Sequence, residues 1–385
     1  MKRLLFLFIL LSAFFSSQVI KDSIFGKPKF IKESVIFLND SGPFTFMKGD
    51  DEYGHAVIMT PKNLRNRMKD TWFETNFCRY INNEVYFDKN RNIIKEIWYY
   101  KSGEIVDDYT YVYDDLNRII TESSKNKYSE KSSHYFYDKN SKIAKFKKYY
   151  YKWENEPLEI FVNNLESFKP LFVTKFDTIS KTDSIFAITN DIWKSVDERS
   201  YTRAKDSIYH KRLTRIKVYD KQYRVVEEKF FNYEEDFQNK RVSLTRHLKY
   251  EYDKVGNLAK QIDFKDGKFY SYIMFENGRI IREEKNDDYG KTSYTVYTYT
   301  KDQKLERRTM YYNDKIWYDL RFVYDGNYIT KLYYLDKYGS EDKDIEPTVI
   351  TFKYTFDKQK NWKKIIKNVD GKDLYMWTRE IEYYK

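Results

Sequence analysis

Four histidines, His55, His134, His210 and His247, and one cysteine, Cys78, are the side chains best suited to hold a metal or attack a substrate. None of the histidines recurs at a metal-ligand spacing such as H-x-x-x-H, so they read as ordinary surface or strand residues. A lone cysteine cannot form an internal disulfide, and with no nucleophile signature around it Cys78 reads as a small buried hydrophobe. The chain contains no G-x-S-x-G, no phosphate-binding glycine loop and no G-x-G-x-x-G. Asp and Glu number 59, enough for paired carboxylates of the glycosidase type to arise at many spacings. The aspartates that recur in register, however, have a structural task. The expectation is a non-catalytic chain with no cofactor and no metal.

The recurring unit is an aromatic residue, any residue, an aromatic residue and Asp, then three turn residues, a polar or basic residue and an aliphatic one. Tyr111, Tyr113, Asp114, Arg118 and Ile119 fit this pattern, as do Tyr135, Tyr137, Asp138, Lys142 and Ile143. Tyr219, Asp220, Arg224 and Val225 form another copy, followed by Tyr250, Tyr252, Asp253, Gly256 and Leu258. Tyr354, Phe356, Asp357, Asn361 and Trp362 form the last, and Val85, Phe87, Asp88, Asn92 and Ile93 a first. Phe275-Glu276 and Tyr324-Asp325 have shorter turns, and Tyr299-Thr300 has lost the acid. Most neighbouring anchors are about 24 residues apart, a period that marks a stacked supersecondary unit.

Such a unit holds two strands and two turns. Aromatics at i and i+2 fall on one sheet face because side chains alternate along a strand. Asp at a strand end can accept turn amides. Asp266-Gly267, Asn277-Gly278, Asp325-Gly326 and Asp370-Gly371 mark hairpin turns elsewhere in the cycle. Of six prolines only Pro347 falls between 211 and 385, as strands that need their amides require. The predicted fold is all-β: an elongated, curled antiparallel β-meander of some eighteen or more strands, because open sheets beyond about ten strands seldom stay planar.

These residues resemble the tyrosine–aspartate (YD) repeats of Rhs-type bacterial cell-surface proteins. Tyr250 to Leu258 matches most closely, with Gly256-Asn257-Leu258 at the family's offset. The ending, Tyr354 to Trp362 and Arg379 to Tyr384, is similar to the terminal unit of small exported YD proteins of the Bacteroidetes type. The likeness spans roughly 85–146 and 215–385. It implies a β-repeat scaffold whose structural positions are Tyr113, Asp114, Tyr137, Asp138, Tyr219, Asp220, Tyr252, Asp253, Gly256, Tyr324, Asp325, Phe356 and Asp357. Most copies lack the turn glycine, and the chain has neither the Asp-Pro-x-Gly core motif nor the toxin domain of large Rhs proteins.

The segments before and between the repeats read differently. Met1-Lys2-Arg3, the apolar run Leu4 to Ala13 and the small residues Ser16 and Ser17 predict a signal peptide over 1–17. The apolar run is too short to span a membrane, and no transmembrane segment is expected in the mature chain. Residues 18–80 read as an N-terminal capping segment. In it Ser34–Leu38 and Phe44–Phe46 flank a hairpin turn, and Thr60-Pro61 opens a helix over 61–75 with Leu64, Met68 and Trp72 on one stripe. The helix is expected to cover the first edge of the repeat sheet. YD-like repeats occupy 81–146 and 215–385, with 147–214 an irregular insertion or decayed repeats.

Composition agrees with export. Aromatic residues make up 19% of the chain, including 39 Tyr and 28 Phe, and these favour pleated surfaces. The net charge of +11 is interspersed among acidic residues, which reads as a solvated face rather than a nucleic-acid surface. The expected function is an exported, non-catalytic binding or interaction scaffold, periplasmic, surface-bound or secreted. Its partner would be a protein or polysaccharide of the cell envelope. The alternative is a module that binds anionic polysaccharide through exposed aromatics; a glycan-acting enzyme ranks below both.

Overall fold

A computed structural model describes residues 24–39, 61–78, 82–100, 102–139, 144–154, 159–164, 171–195, 201–235, 240–286, 292–337 and 345–385. The leader over 1–17, His55 and the second strand of the expected N-terminal hairpin lie outside the described residues.

The chain is all-β, with one helix among the described residues. The first strands are β1 (Pro28–Phe37), β2 (Asn82–Phe87), β3 (Ile93–Tyr99), β4 (Ile105–Tyr113), β5 (Ile119–Lys125), β6 (Ser129–Tyr137), β7 (Ala144–Trp153) and β8 (Glu159–Asn164). Next come β9 (Leu171–Asp177), β10 (Thr182–Ser195), β11 (Tyr201–Tyr219), β12 (Val225–Glu235), β13 (Lys240–Tyr252), β14 (Leu258–Lys265) and β15 (Lys268–Glu276). The last are β16 (Arg279–Asn286), β17 (Thr292–Tyr299), β18 (Leu305–Tyr312), β19 (Lys315–Asp325), β20 (Tyr328–Asp336), β21 (Thr348–Phe356), β22 (Trp362–Val369) and β23 (Lys372–Tyr383). The helix α1 is Pro61–Glu74.

All strands join one elongated, curled antiparallel meander in which each pairs with its sequence neighbours, with two exceptions among the described residues: β1 also pairs β23, and β8 is not paired with β9. Strand β1 pairs β2 on one side and β23 on the other, with Glu33 opposite both Asn83 and Arg379. The spatial order therefore runs from β8 down to β1, then from β23 down to β9. Every step is antiparallel, so β8 and β9 point the same way and cannot be antiparallel partners. The segment between them, 165–170, lies outside the described residues. Strands β10 and β11 pair with each other from Thr182 to Ser195, well past the reach of β9, which stops at Ile188. This two-stranded arm falls within the stretch that reads as irregular in sequence.

Hairpin chemistry follows the residues. Asp266 and Gly267 (φ 48° and 76°), Asn277 and Gly278 (50° and 74°), and Asp370 and Gly371 (47° and 82°) all take the left-handed conformation a type I′ turn demands. The Asp325-Gly326 signal is displaced by one residue: Asp325 pairs with Tyr328, so the loop is Gly326-Asn327.

The edge of β2 is covered by β1, and α1 lies on the sheet face, not along the edge where the sequence placed it. Arg65 bonds Glu96 of β3, while Glu74 accepts a bond from Arg308 of β18 at 2.8 Å. Along the sheet β3 and β18 are eight strand spacings apart, ~38 Å if flat at ~4.8 Å each. Arg65 and Glu74 are only ~14 Å apart along a helix rising ~1.5 Å per residue. One short helix can touch both strands only if the sheet curls around it. Met68, Trp72 and Phe73 fill the hollow against Leu320, Leu332, Ile350, Phe352, Ile365 and Trp377, the largest contiguous apolar cluster among the described residues.

Beneath the helix lies Lys367, fully buried. Its Nζ donates to the carbonyls of Thr71 (3.3 Å) and Phe77 (2.6 Å) at the end of α1, and burial pushes its pKa down to about 7. In an unfolded chain lysine titrates near 10.4, so between pH ~7 and ~10 the unfolded chain holds the extra proton and stability should rise with pH. Lys367→Met should remove that slope and stabilise the protein at neutral pH by about 2 kcal/mol, the carbonyls having offset part of the burial cost. Above pH ~10 the trend should reverse in both proteins, because burial raises the phenol pKa of Tyr250, Tyr324 and Tyr334. Urea midpoints across pH 6–11 for the two proteins measure this.

Candidate functional site

The repeat residues form one device copied along one end of the sheet. At each complete copy the main chain makes a turn in which the residue three after Asp donates to the Asp carbonyl: Asn117 to Asp114 (2.9 Å), Tyr223 to Asp220 (3.1 Å), Gly256 to Asp253 (3.1 Å) and Lys360 to Asp357 (3.2 Å). That third residue is left-handed whether or not it is glycine, with φ of 56°, 61°, 95° and 67° at Asn117, Tyr223, Gly256 and Lys360. The register slips by one residue at the preceding tyrosine or phenylalanine in each case. A type I turn followed by a left-handed bulge residue produces this geometry.

Each Asp carboxylate closes its turn. Oδ1 of Asp114 accepts the amides of Leu116 (3.0 Å) and Arg118 (2.9 Å), while Oδ2 takes Arg118 Nε (2.7 Å). Asp220 repeats this with Gln222 and Arg224, Asp253 with Val255 and Asn257, and Asp357 with Gln359 and Asn361. The bonds from Arg118 hold the Asp114 carboxyl below its usual range. Desolvation works against this at Asp220, Asp253 and Asp357, yet the turn amides and side-chain donors still hold all three low. Asp138 offers its carbonyl to Arg118 (3.1 Å), and Asp325 ends β19 at the two-residue loop.

The tyrosine before Asp fastens one repeat to the preceding one. Its hydroxyl donates to the carbonyl of the aliphatic residue that opens the previous repeat's second strand. Tyr113 reaches Ile93 (2.9 Å), Tyr137 reaches Ile119 (2.8 Å), Tyr252 reaches Val225 (2.8 Å) and Tyr324 reaches Leu305 (2.8 Å). Tyr299 does the same to Ile280 at 2.7 Å. The guanidinium held by one Asp lies over the next repeat's ring: Arg118 over Tyr137 and Arg224 over Tyr252, each at 4.5 Å. Tyr219 donates instead to Asp183 (2.6 Å). Phe356 has no hydroxyl, and Tyr354 takes over by bonding Ile329 (2.9 Å).

The thirteen sequence-chosen positions are thus spread along a row of turns and do not converge on one site. The structure adds partners that the pattern did not mark. Thr300 replaces the lost acid, its Oγ1 accepting the Lys304 amide at 3.1 Å. Asp177 accepts the amides of Ile179 (2.8 Å) and Ser180 (3.1 Å) inside the irregular stretch; the Phe176-Asp177 pair was its only signal. His134 sits among Thr121 and Ser132, His247 meets Glu227, and Cys78 is buried. Among the described residues no group of three or more His, Cys, Asp or Glu is placed to hold a metal, and no helix is long and apolar enough to cross a membrane.

One cluster departs from the clip pattern. Tyr149, Tyr151 and Trp153 alternate along β7, opposite Ser133, Lys131 and Ser129 of β6. The Tyr149 and Tyr151 rings are nearly parallel (10°, 6.3 Å), and Trp153 is nearly parallel to Tyr128 of the β5–β6 turn (17°, 6.1 Å). Tyr128 and Trp153 are 42% and 41% exposed.

No known family and no curated protein matches the chain. Among solved structures, a component of the Photorhabdus luminescens Tc holotoxin pore aligns at 12% identity over 84% of this chain, with a TM-score of 0.29. The chain spans only 20% of that component. A porin-like protein from Bacteroides uniformis aligns at 10% identity over 93% of this chain and 99% of its own, with a TM-score of 0.21. A second porin-like protein, from Bacteroides vulgatus, aligns at 12% identity over 76% of this chain and 93% of its own, with a TM-score of 0.16.

Proposed function

We propose that the protein is a non-catalytic scaffold of the exported YD-repeat type that presents a binding surface at the cell envelope. The supporting observation is that the recurring polar side chains of the repeat are already engaged. Asp carboxylates close turns and tyrosine hydroxyls bond main-chain carbonyls of the neighbouring repeat, so these side chains have a structural task in the folded chain. A second reading, that the surface binds polysaccharide, draws on the exposed Tyr128 and Trp153 rings.

Tyr252→Phe separates structural use of the repeat from functional use. Loss of one hydrogen bond to a part-buried carbonyl should lower stability by about 1 kcal/mol, read from the urea midpoint. Capture of envelope polysaccharide or protein by the folded variant should equal that of the wild type, and neither protein should release reducing ends from glycans. Turnover by the wild type that Tyr252→Phe abolishes would show a catalytic tyrosine and end the scaffold reading.

A further inference from the structure

From the ring file on β7 we infer a binding subsite for an anionic glycan chain, formed by Tyr128, Tyr149, Tyr151 and Trp153 with Lys127 and Lys131 beside them. The inference rests on the scaffold reading and names the ligand class of one surface.

The rings are arranged unlike those of the repeat. The clipped tyrosines, Tyr113, Tyr137 and Tyr252, spend their hydroxyls on main-chain carbonyls and lie half-buried under a neighbouring repeat. On β7 the aromatic residues fall at i, i+2 and i+4, so all three side chains stand on one face. Tyr128 extends the file from the adjoining turn, whose position is held by the Glu154 amide donating to the Tyr128 carbonyl at 2.7 Å. Four rings follow one another, two of them about two-fifths exposed, with Tyr151 and Trp153 6.5 Å apart and tilted by 39°. A file of aromatic rings at a strand's two-residue spacing suits a linear ligand made of repeating flat, C–H-faced units. Pyranose rings have such faces, with hydroxyls at the edges.

The charges select among such ligands. Lys127 Nζ lies 5.7 Å from the Tyr128 ring centre and Lys131 Nζ 5.6 Å from that of Tyr151, so one cation stands at the Tyr128 end of the file and a second beside its middle. A sugar acid or sulfated sugar stacked on these rings would bring its anionic substituent to an ammonium group. Nucleic acid also combines bases with negative charge, but its closely spaced phosphates need many cations. Here Glu130, 61% exposed, pairs with Lys125 on the same hairpin, and Asp107 faces Lys131 from β4. Two lysines amid acids suit a sparsely charged chain.

Native-gel affinity electrophoresis of the full chain tests this in gels containing hyaluronate or κ-carrageenan, in which only every other sugar is charged, or neutral dextran, with a single-stranded oligonucleotide as competitor. The two charged gels distinguish carboxylate from sulfate recognition. The expected result is retardation by at least one of them and not by neutral dextran. The double variant Tyr128→Ala/Trp153→Ala keeps the wild-type charge, so general attraction of a basic protein to a polyanion cannot mimic the site. It should lose at least tenfold in affinity with an unchanged melting temperature. Lys127→Gln/Lys131→Gln should also weaken binding and flatten its salt dependence. Undiminished binding by the aromatic double variant, equal retardation by neutral dextran, or displacement by the oligonucleotide would each overturn the subsite. Absence of retardation in any gel would also overturn it and leave the scaffold reading intact. Cleavage of the glycan by a protein that binds through these rings would uphold the subsite and end the non-catalytic reading.

Discussion

Trp72→Ala should cost about 3–5 kcal/mol, the range for truncating a large buried aromatic. The indole is 1% exposed, edge-on to Trp377 at 5.2 Å, and the adjacent Phe73 rests on Phe352 at 5.4 Å. Its loss acts on more than one contact. The helix is held to β3 by Arg65 and Glu96 and to β18 by Glu74 and Arg308, so loosening it uncovers Leu320, Leu332 and Ile350 on the curled face. Trp72→Phe should be far milder, about 1 kcal/mol or less, because the indole Nε1 has no hydrogen-bond partner among the described residues and its removal relieves a buried unsatisfied donor. Val112→Ala, at a site 50% exposed, should shift the midpoint by less than about 0.5 kcal/mol. Urea denaturation with a dye that reports exposed apolar surface would measure all three. A Trp72→Ala midpoint equal to that of Val112→Ala would show that the helix is an ornament on the sheet rather than the plug that it curls around.

The turn row was legible because its determinants are local. Asp, three residues, then Arg or Asn places a carboxylate within reach of two amides and a side chain of the same turn, and no distant strand is needed. The same locality explains why the lost acid at Thr300 did little harm: a hydroxyl can accept one of those amides. What tyrosine does in the unit was less legible. A phenylalanine would fill the face equally well, and only the register of the preceding repeat shows that a carbonyl waits at hydroxyl distance. The turn needs no glycine: Asn117, Tyr223 and Lys360 accept left-handed angles, a conformation that costs a non-glycine residue about 1–2 kcal/mol, because the two strands and the Asp bonds impose it.

Three features could not be read from pattern at all. Burial of Lys367 depends on β22 lying beneath α1, nearly 300 residues away in sequence. The exposure of the β7 ring file depends on what covers that face, which no spacing of aromatics specifies. The place of β1 between β2 and β23 is a choice between two edges that propensity does not make. Covering one exposed edge is sufficient reason for a capping segment; covering both with a single strand joins the two ends of the meander.

The weight of that join should fall on Arg379 and Glu33, the second large effect expected. The two residues are 346 apart in sequence and face each other across β1 and β23, with Arg379 Nε donating to Glu33 Oε1 at 2.6 Å. Arg379 is 2% exposed, and its guanidinium lies 3.6 Å from the centre of the Trp362 ring. Arg379→Ala leaves a buried carboxylate without its cation and should cost about 3–5 kcal/mol, as breaking one side of a buried pair does. Glu33→Met/Arg379→Met removes both charges and should recover most of that loss, because neither ion then needs solvation. The same two strands carry a built-in comparison in Lys29 and Glu382, 3.8 Å apart with side chains 58% and 64% exposed. Lys29→Ala should cost less than about 0.5 kcal/mol, as exposed pairs do. Urea midpoints for the four proteins measure these differences. If Arg379→Ala and Lys29→Ala prove equally mild, β1 is not the strand that holds the two halves of the sheet together.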